Sequence, residues 1–151
     1  MTAPVLVLGG YGAFGTRVAR LLASSPELTV HVAGRHLDAA QRLCAALGER
    51  AVPVALDRDD PTAVAAFLHE RRPRVVVDAT GPFQGRDYRA PELVAGLGAH
   101  WLDLADAREY VTGIGCLHEH ARAQGVLVTS GASTLPALSV AVVDRLLDDL
   151  D

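Results

Sequence analysis

Short aliphatic runs recur along the chain at Val5 to Leu8, Val30 to Ala33, Val52 to Leu56, Val75 to Val77, Trp101 to Leu104 and Val126 to Val128. Runs of this kind suit strands buried on both faces, as in a parallel sheet covered by helices. Between them lie segments with helical spacing: Val18, Leu21 and Leu22; Leu43, Ala46 and Leu47; Val64, Phe67 and Leu68; Leu93, Val94 and Leu97. The third opens at Asp60-Pro61, an acidic N-cap followed by proline at the first helical position, and the fourth is expected to end near Gly98. Alternation of this kind predicts an α/β fold, a doubly wound and mostly parallel sheet with helices on both faces. A last apolar segment, Leu135 to Leu150, reads as a further helix.

The chain has 151 residues, half of them hydrophobic and 21% charged, which predicts one globular domain over residues 1–151 and excludes a disordered chain. Its formal net charge of -4 offers no general attraction to nucleic acid or to an anionic membrane. No apolar run reaches the ~20 residues of a membrane span, and the segment after Met1 lacks a basic n-region, so neither membrane nor nucleic acid is expected as a partner and the cytoplasm is the expected location. Cys44 and Cys116 have no metal-site or disulfide-framework spacing and read as structural, Cys116 as a buried thiol beside Ile114 and Leu117. All 14 basic residues other than histidine are arginines. The absence of lysine excludes a Walker phosphate loop, a Schiff-base mechanism and a Tyr-x-x-x-Lys reductase within this chain, because each needs an amine at a defined place.

The first run leads directly into Gly9-Gly10-Tyr11-Gly12-Ala13-Phe14-Gly15. Gly10, Gly12 and Gly15 fit G-x-G-x-x-G: the first for a tight turn, the second for close approach to a pyrophosphate, the third for helix against strand. The motif follows a buried strand and opens a helix, which favours dinucleotide binding over a plain connecting turn. An NAD-binding chain places a carboxylate at the end of the second strand, for the ribose hydroxyls. Here stand Gly34 and Arg35, and an arginine can form a charged pair with a 2′-phosphate, so NADP(H) is preferred over NAD(H); the alternative is a solvated surface arginine. Asp57 ends the third strand, where it meets an adenine amino group or caps the turn Arg58-Asp59-Asp60. Ala79, Thr80, Gly81 and Pro82 follow the fourth strand at the ligand-binding edge, beside the nicotinamide or simply as a turn with Phe83 in the core.

With VLVLGGYGAFG, VAGR, VVDATGPF, HWLDLAD and GVLVTSGASTLPAL in view, nearly the whole chain resembles the Rossmann domain of the saccharopine dehydrogenase-like oxidoreductases. The resemblance implies that Gly10, Gly12, Ala13, Phe14 and Gly15 approach the pyrophosphate, Arg35 the adenosine phosphate, Asp57 the adenine, and Ala79 to Pro82 the nicotinamide. It also implies a second α/β domain, following this one, that supplies much of the substrate site and the dimer contacts. Where many members continue with a Thr-Gly-Glu-like stretch after the aspartate matched by Asp103, this chain has Ala105-Asp106-Ala107, which leaves any acid or base role for Asp103 or Asp106 open.

The other candidates are weaker. His118 and His120 read as surface residues, and Tyr88 and Tyr110 are explained by packing as well as by acid chemistry. No catalytic residue and no metal is assigned. The function expected is an NADP(H)-binding domain for hydride transfer to or from an imine, ketone or amine-bearing carbon of an unknown small-molecule substrate. The alternatives are a non-catalytic dinucleotide sensor and, with a poorer fit, a methyltransferase-like domain. Little chain remains to build a substrate wall, so the 151 residues are expected to bind NADPH without turnover, and to self-associate through the helix that begins near Pro136.

Overall fold

The computed structural model describes residues 2–133 and Arg145. Six strands alternate with helices: β1 (Ala3–Leu8), α1 (Ala13–Ala23), β2 (Leu28–Gly34), α2 (Leu37–Leu47), β3 (Ala51–Ala55), α3 (Pro61–Arg71), β4 (Val75–Asp78), α4 (Arg89–Gly96), β5 (His100–Asp103), α5 (Arg108–Gly113), α6 (His118–Ala123) and β6 (Val128–Thr129). A 3-10 turn, Ile114–Leu117, joins α5 to α6. The strands form one sheet in the order β3-β2-β1-β4-β5-β6, and every neighbouring pair is parallel. Strand order reverses between β1 and β4, the switch point at which open α/β sheets open a crevice beyond their carboxyl ends.

The sheet is buried on both faces because successive side chains of each strand serve opposite cores. Val5, Val7, Val30, Val32 and Val77 pack with Ala19, Ala23, Ala40 and Cys44 under α1 and α2. Leu6, Leu8, Val76 and Trp101 pack with Val64, Leu68 and Val94 under α3 and α4. Asp60 caps α3 as expected, its carboxylate accepting from the N–H groups of Thr62 and Ala63 at 3.0 Å. Leu97 caps α4, and Gly98 beyond it takes a positive φ of 79°.

Two expectations are corrected. Leu21, counted with Val18 and Leu22 on the inner face of α1, is 75% exposed, because the face that meets the sheet runs through Gly15, Ala19 and Ala23. Cys116 is exposed, because the tight 3-10 turn buries Leu117 and leaves its neighbour outside. None of the described helices is long and apolar enough to cross a membrane. Apart from Arg145, the segment 135–150, on which the expectation of self-association rests, lies outside the described residues.

Candidate functional site

Loops from the carboxyl ends of β1, β2, β3 and β4 enclose an open cleft of about 420 Å³. From β1 come Gly9, Tyr11 and Gly12; from β2, Gly34 and Arg35. From β3 come Leu56, Asp57, Arg58 and Asp59; from β4, Ala79 to Pro82, with Arg86 beyond.

The glycine turn divides its work differently from the motif reading. Gly9, not Gly10, makes the tight turn, with φ at +67°. Gly10 is buried behind the cleft, its N–H bonded to the Ala33 carbonyl at 3.0 Å, and a Cβ there would press on Val32 and the Val7 carbonyl at 2.9 Å. Gly15 is also buried, and a Cβ on it would overlap the Gly9 carbonyl oxygen, so this glycine permits the approach of α1 to β1. Gly12 is the one of the three that is exposed: its Cβ would meet only the Gly9 carbonyl, a tight contact at 3.1 Å. Gly12 is also the N-cap of α1 and has no side chain to satisfy the first turn. The N–H groups of Ala13, Phe14 and Gly15 therefore have no backbone acceptor among the described residues, and they form a cluster of donors at the positive end of the helix. Ala13 and Phe14 are exposed beside them.

Arg35 lines the cleft, exposed, and its guanidinium makes no ion pair or hydrogen bond among the described residues. Asp57 divides its carboxylate: Oδ1 accepts the N–H of Asp59 at 3.0 Å, as a turn cap does, and the exposed side chain still borders the cleft. On the β4 side Thr80 donates its N–H and hydroxyl to Asp78 Oδ1 at 2.9 and 2.6 Å. Gly81 and Pro82 are exposed at the cleft, while Phe83 is buried against Tyr110. A dinucleotide fits these residues: bare backbone at Gly12, unused donors on α1, and an unpaired cation at the end of β2.

Sequence reasoning missed Gly9, Tyr11, Leu56, Arg58, Asp59 and Arg86 as cleft residues. Arg58 is the most consequential. It is buried, and its Nε donates to the fully buried Asp78 at 2.8 Å while Nη1 donates to Asp59 at 2.9 Å. Burial opposes its charge, but Asp78 and Asp59 outweigh burial and hold the guanidinium above its ordinary pKa. The signal was its place directly after Asp57, which a charged turn explained equally well.

The open question about Asp103 is answered by its partners. The buried carboxylate accepts from Trp101 Nε1 at 2.9 Å, the Ala105 N–H at 3.1 Å, the Ser130 hydroxyl at 2.7 Å and the Gly131 N–H at 3.1 Å. Four donors fix it as the tie between the ends of β5 and β6. Asp106 lies on the rim of a second cleft, about 490 Å³, which shares Arg86 with the first and also borders Tyr88, Arg108 and Tyr110. The Tyr88 hydroxyl donates to the Tyr110 carbonyl at 3.0 Å, and burial, reinforced by Asp103, pushes the Tyr110 phenol well above its usual pKa. Among the described residues no group of His, Cys, Asp and Glu could hold a metal ion.

A search of solved structures returns the apo saccharopine dehydrogenase (L-Glu forming) of Saccharomyces cerevisiae at 20% identity and a TM-score of 0.72, covering 97% of this chain and 31% of that one. GenD2 from gentamicin A biosynthesis, in complex with NAD, matches at 22% identity and 0.61, covering 86% of this chain and 34% of its own. BdcA of E. coli, in complex with NADPH, matches at 17% and 0.65, covering 85% and 68%. At these identities the likeness establishes the fold, and the chain spans about a third of the first two proteins. No curated protein matches the chain by sequence. The family model for the saccharopine dehydrogenase NADP binding domain matches residues 5–138, nearly the whole chain. The chain therefore belongs to this family and is an NADP-binding domain of the saccharopine dehydrogenase-like oxidoreductases.

Proposed function

We propose that the cleft holds NADP(H) extended across the switch point. The free N–H groups of Ala13, Phe14 and Gly15 receive the pyrophosphate, Arg35 the 2′-phosphate, Asp57 the adenine amino group, and Ala79 to Pro82 the nicotinamide ribose. When bound, the cofactor supplies or accepts a hydride, and the transfer is to or from an imine, ketone or amine-bearing carbon. The chain's own part is positional. Gly12 lets the backbone approach the phosphates, the helix end and Arg35 neutralise them, and Gly81 and Pro82 set the wall beside the reacting ring.

The observation that carries this reading is the unpaired Arg35 guanidinium in the same cleft as the uncapped end of α1. The substrate lies beyond Pro82, toward the second cleft that begins at Arg86. Asp78, Asp103 and Tyr88 are committed to internal hydrogen bonds, so the acid or base of the reaction is not assigned to them.

Titration of the chain with NADPH by calorimetry tests the site. Gly12→Val should fold at some cost, since its backbone is extended and its Cβ meets only the Gly9 carbonyl, a tight contact at 3.1 Å, yet bind no NADPH. Normal binding by that variant would remove the pyrophosphate assignment.

A further inference from the structure

Arg58 is the one arginine buried among the described residues, and its connections run in a ring. From Arg58 the ring passes to Asp78, whose second oxygen holds the Thr80 N–H and hydroxyl. In the other direction Arg58 reaches Asp59 Oδ1, which also accepts from Arg86 Nη1 at 2.8 Å. Arg86 Nε then returns to the Pro82 carbonyl at 2.9 Å, and the backbone from Pro82 to Thr80 closes the ring. The loop after β3 is thereby fastened to the loop after β4 at both its buried and its exposed edge, and both loops line the dinucleotide cleft.

Stability alone does not account for this arrangement. A buried ion pair seldom outperforms apolar residues of the same volume, because taking both charges out of water consumes most of their attraction. Here the cost is greater, since Arg58 Nη2 is buried without a partner among the described residues. The Trp101 ring, whose centroid lies 5.9 Å from the guanidinium carbon, gives the group a flat floor that restricts its orientation. Such an assembly defines a geometry. A ligand that must touch both loops at once gains affinity when their separation is set beforehand.

We propose that Arg58 is a positioning residue for the dinucleotide, closing a ring of charged hydrogen bonds that holds the adenine-side loop, 57–59, at a fixed distance from the nicotinamide-side loop, 79–86. The inference rests on the cofactor reading of the cleft given above. It separates two ligands that a general structural role would treat alike. NADPH spans both loops, whereas 2′,5′-ADP occupies the adenine side alone and does not sense the distance between them.

The test is calorimetric titration of both ligands into the wild-type chain, Arg58→Met/Asp78→Asn, and Asp59→Ala. The double substitution removes both buried charges together, so neither is left unpaired. Asp59→Ala removes the oxygen that accepts from both Arg58 and Arg86, breaks the ring at a side chain 62% exposed, and decides the matter if the double variant does not fold. The expected result is NADPH affinity reduced about tenfold or more, with 2′,5′-ADP affinity held within about twofold, because preorganisation is lost and the adenine contacts are not. Equal loss for both ligands would show general damage and overturn the proposal, as would unchanged NADPH binding. A wild-type chain that binds neither ligand would instead overturn the cofactor reading, and this inference with it.

Discussion

The ring of Tyr11 lies against the Cα of Gly34, so closely that a β-carbon at position 34 would overlap it, and the Tyr11 hydroxyl accepts the backbone N–H of His36 at 2.9 Å. The glycine turn after β1 is thus locked to the end of β2, and Arg35 sits between the two contacts. Gly34 serves the cleft chiefly by making room for Tyr11.

Gly34→Ala should therefore displace Tyr11 and cost about 1–3 kcal/mol through overpacking, read as a lower urea midpoint. Tyr11→Phe should cost about 0.5–1.5 kcal/mol, the ordinary worth of the lost hydrogen bond, with the ring still in place. A Gly34→Ala variant as stable as wild type would show that Tyr11 moves aside freely.

Asp103 should prove to be a stability residue. Asp103→Ala would leave four donors, two of them buried, without the fully buried acceptor they share, at a cost of about 3 kcal/mol or more. Trp101, the sole tryptophan, donates to this carboxylate, so its emission should shift in a variant that still folds. Unchanged stability and emission in Asp103→Ala would contradict the role.

The central strands were legible because Val, Leu and Ala runs buried on both faces leave a continuous apolar trace, and α1 to α4 because each carries apolar residues one and two turns apart, whereas the run Val126 to Val128 only approximates β6, which is the half-buried edge pair Val128–Thr129 with Leu127 62% exposed. Helices α5 and α6 left no such trace: Arg108–Gly113 and His118–Ala123 each bury one side chain, Tyr110 and Ala121. The glycine motif located the cleft, but spacing could not say which glycine carries the positive φ. Arg58 was illegible for a stronger reason: its partner Asp78 is 20 residues away, and a local charge run gives no sign that the fold will draw one member inside.

His31 makes stability depend on pH. It is buried on β2, edge-on to Phe67 with ring centroids 5.3 Å apart, and burial, aided by the charge of Arg71, holds its pKa below the ordinary 6.5. As pH falls through 6.5 the unfolded chain takes up a proton that the folded chain still refuses, so the unfolded state gains. His31's contribution is complete above that pH and declines below it until the folded imidazole itself protonates. Urea midpoints at about pH 8 and about pH 5 should differ less in His31→Leu than in wild type, since the variant cannot bind the proton. An equal difference in both proteins would exclude His31 as the cause.

In the proposed function, Arg35 turns a general dinucleotide cleft into one for NADP(H). The direct measurement is calorimetric affinity for NADPH and NADH in the wild-type chain and in Arg35→Glu. The substitution should weaken NADPH by about 2–4 kcal/mol, through a lost charged hydrogen bond and an added repulsion, while NADH changes little. Equal losses for the two cofactors, or an undiminished preference for NADPH, would contradict it.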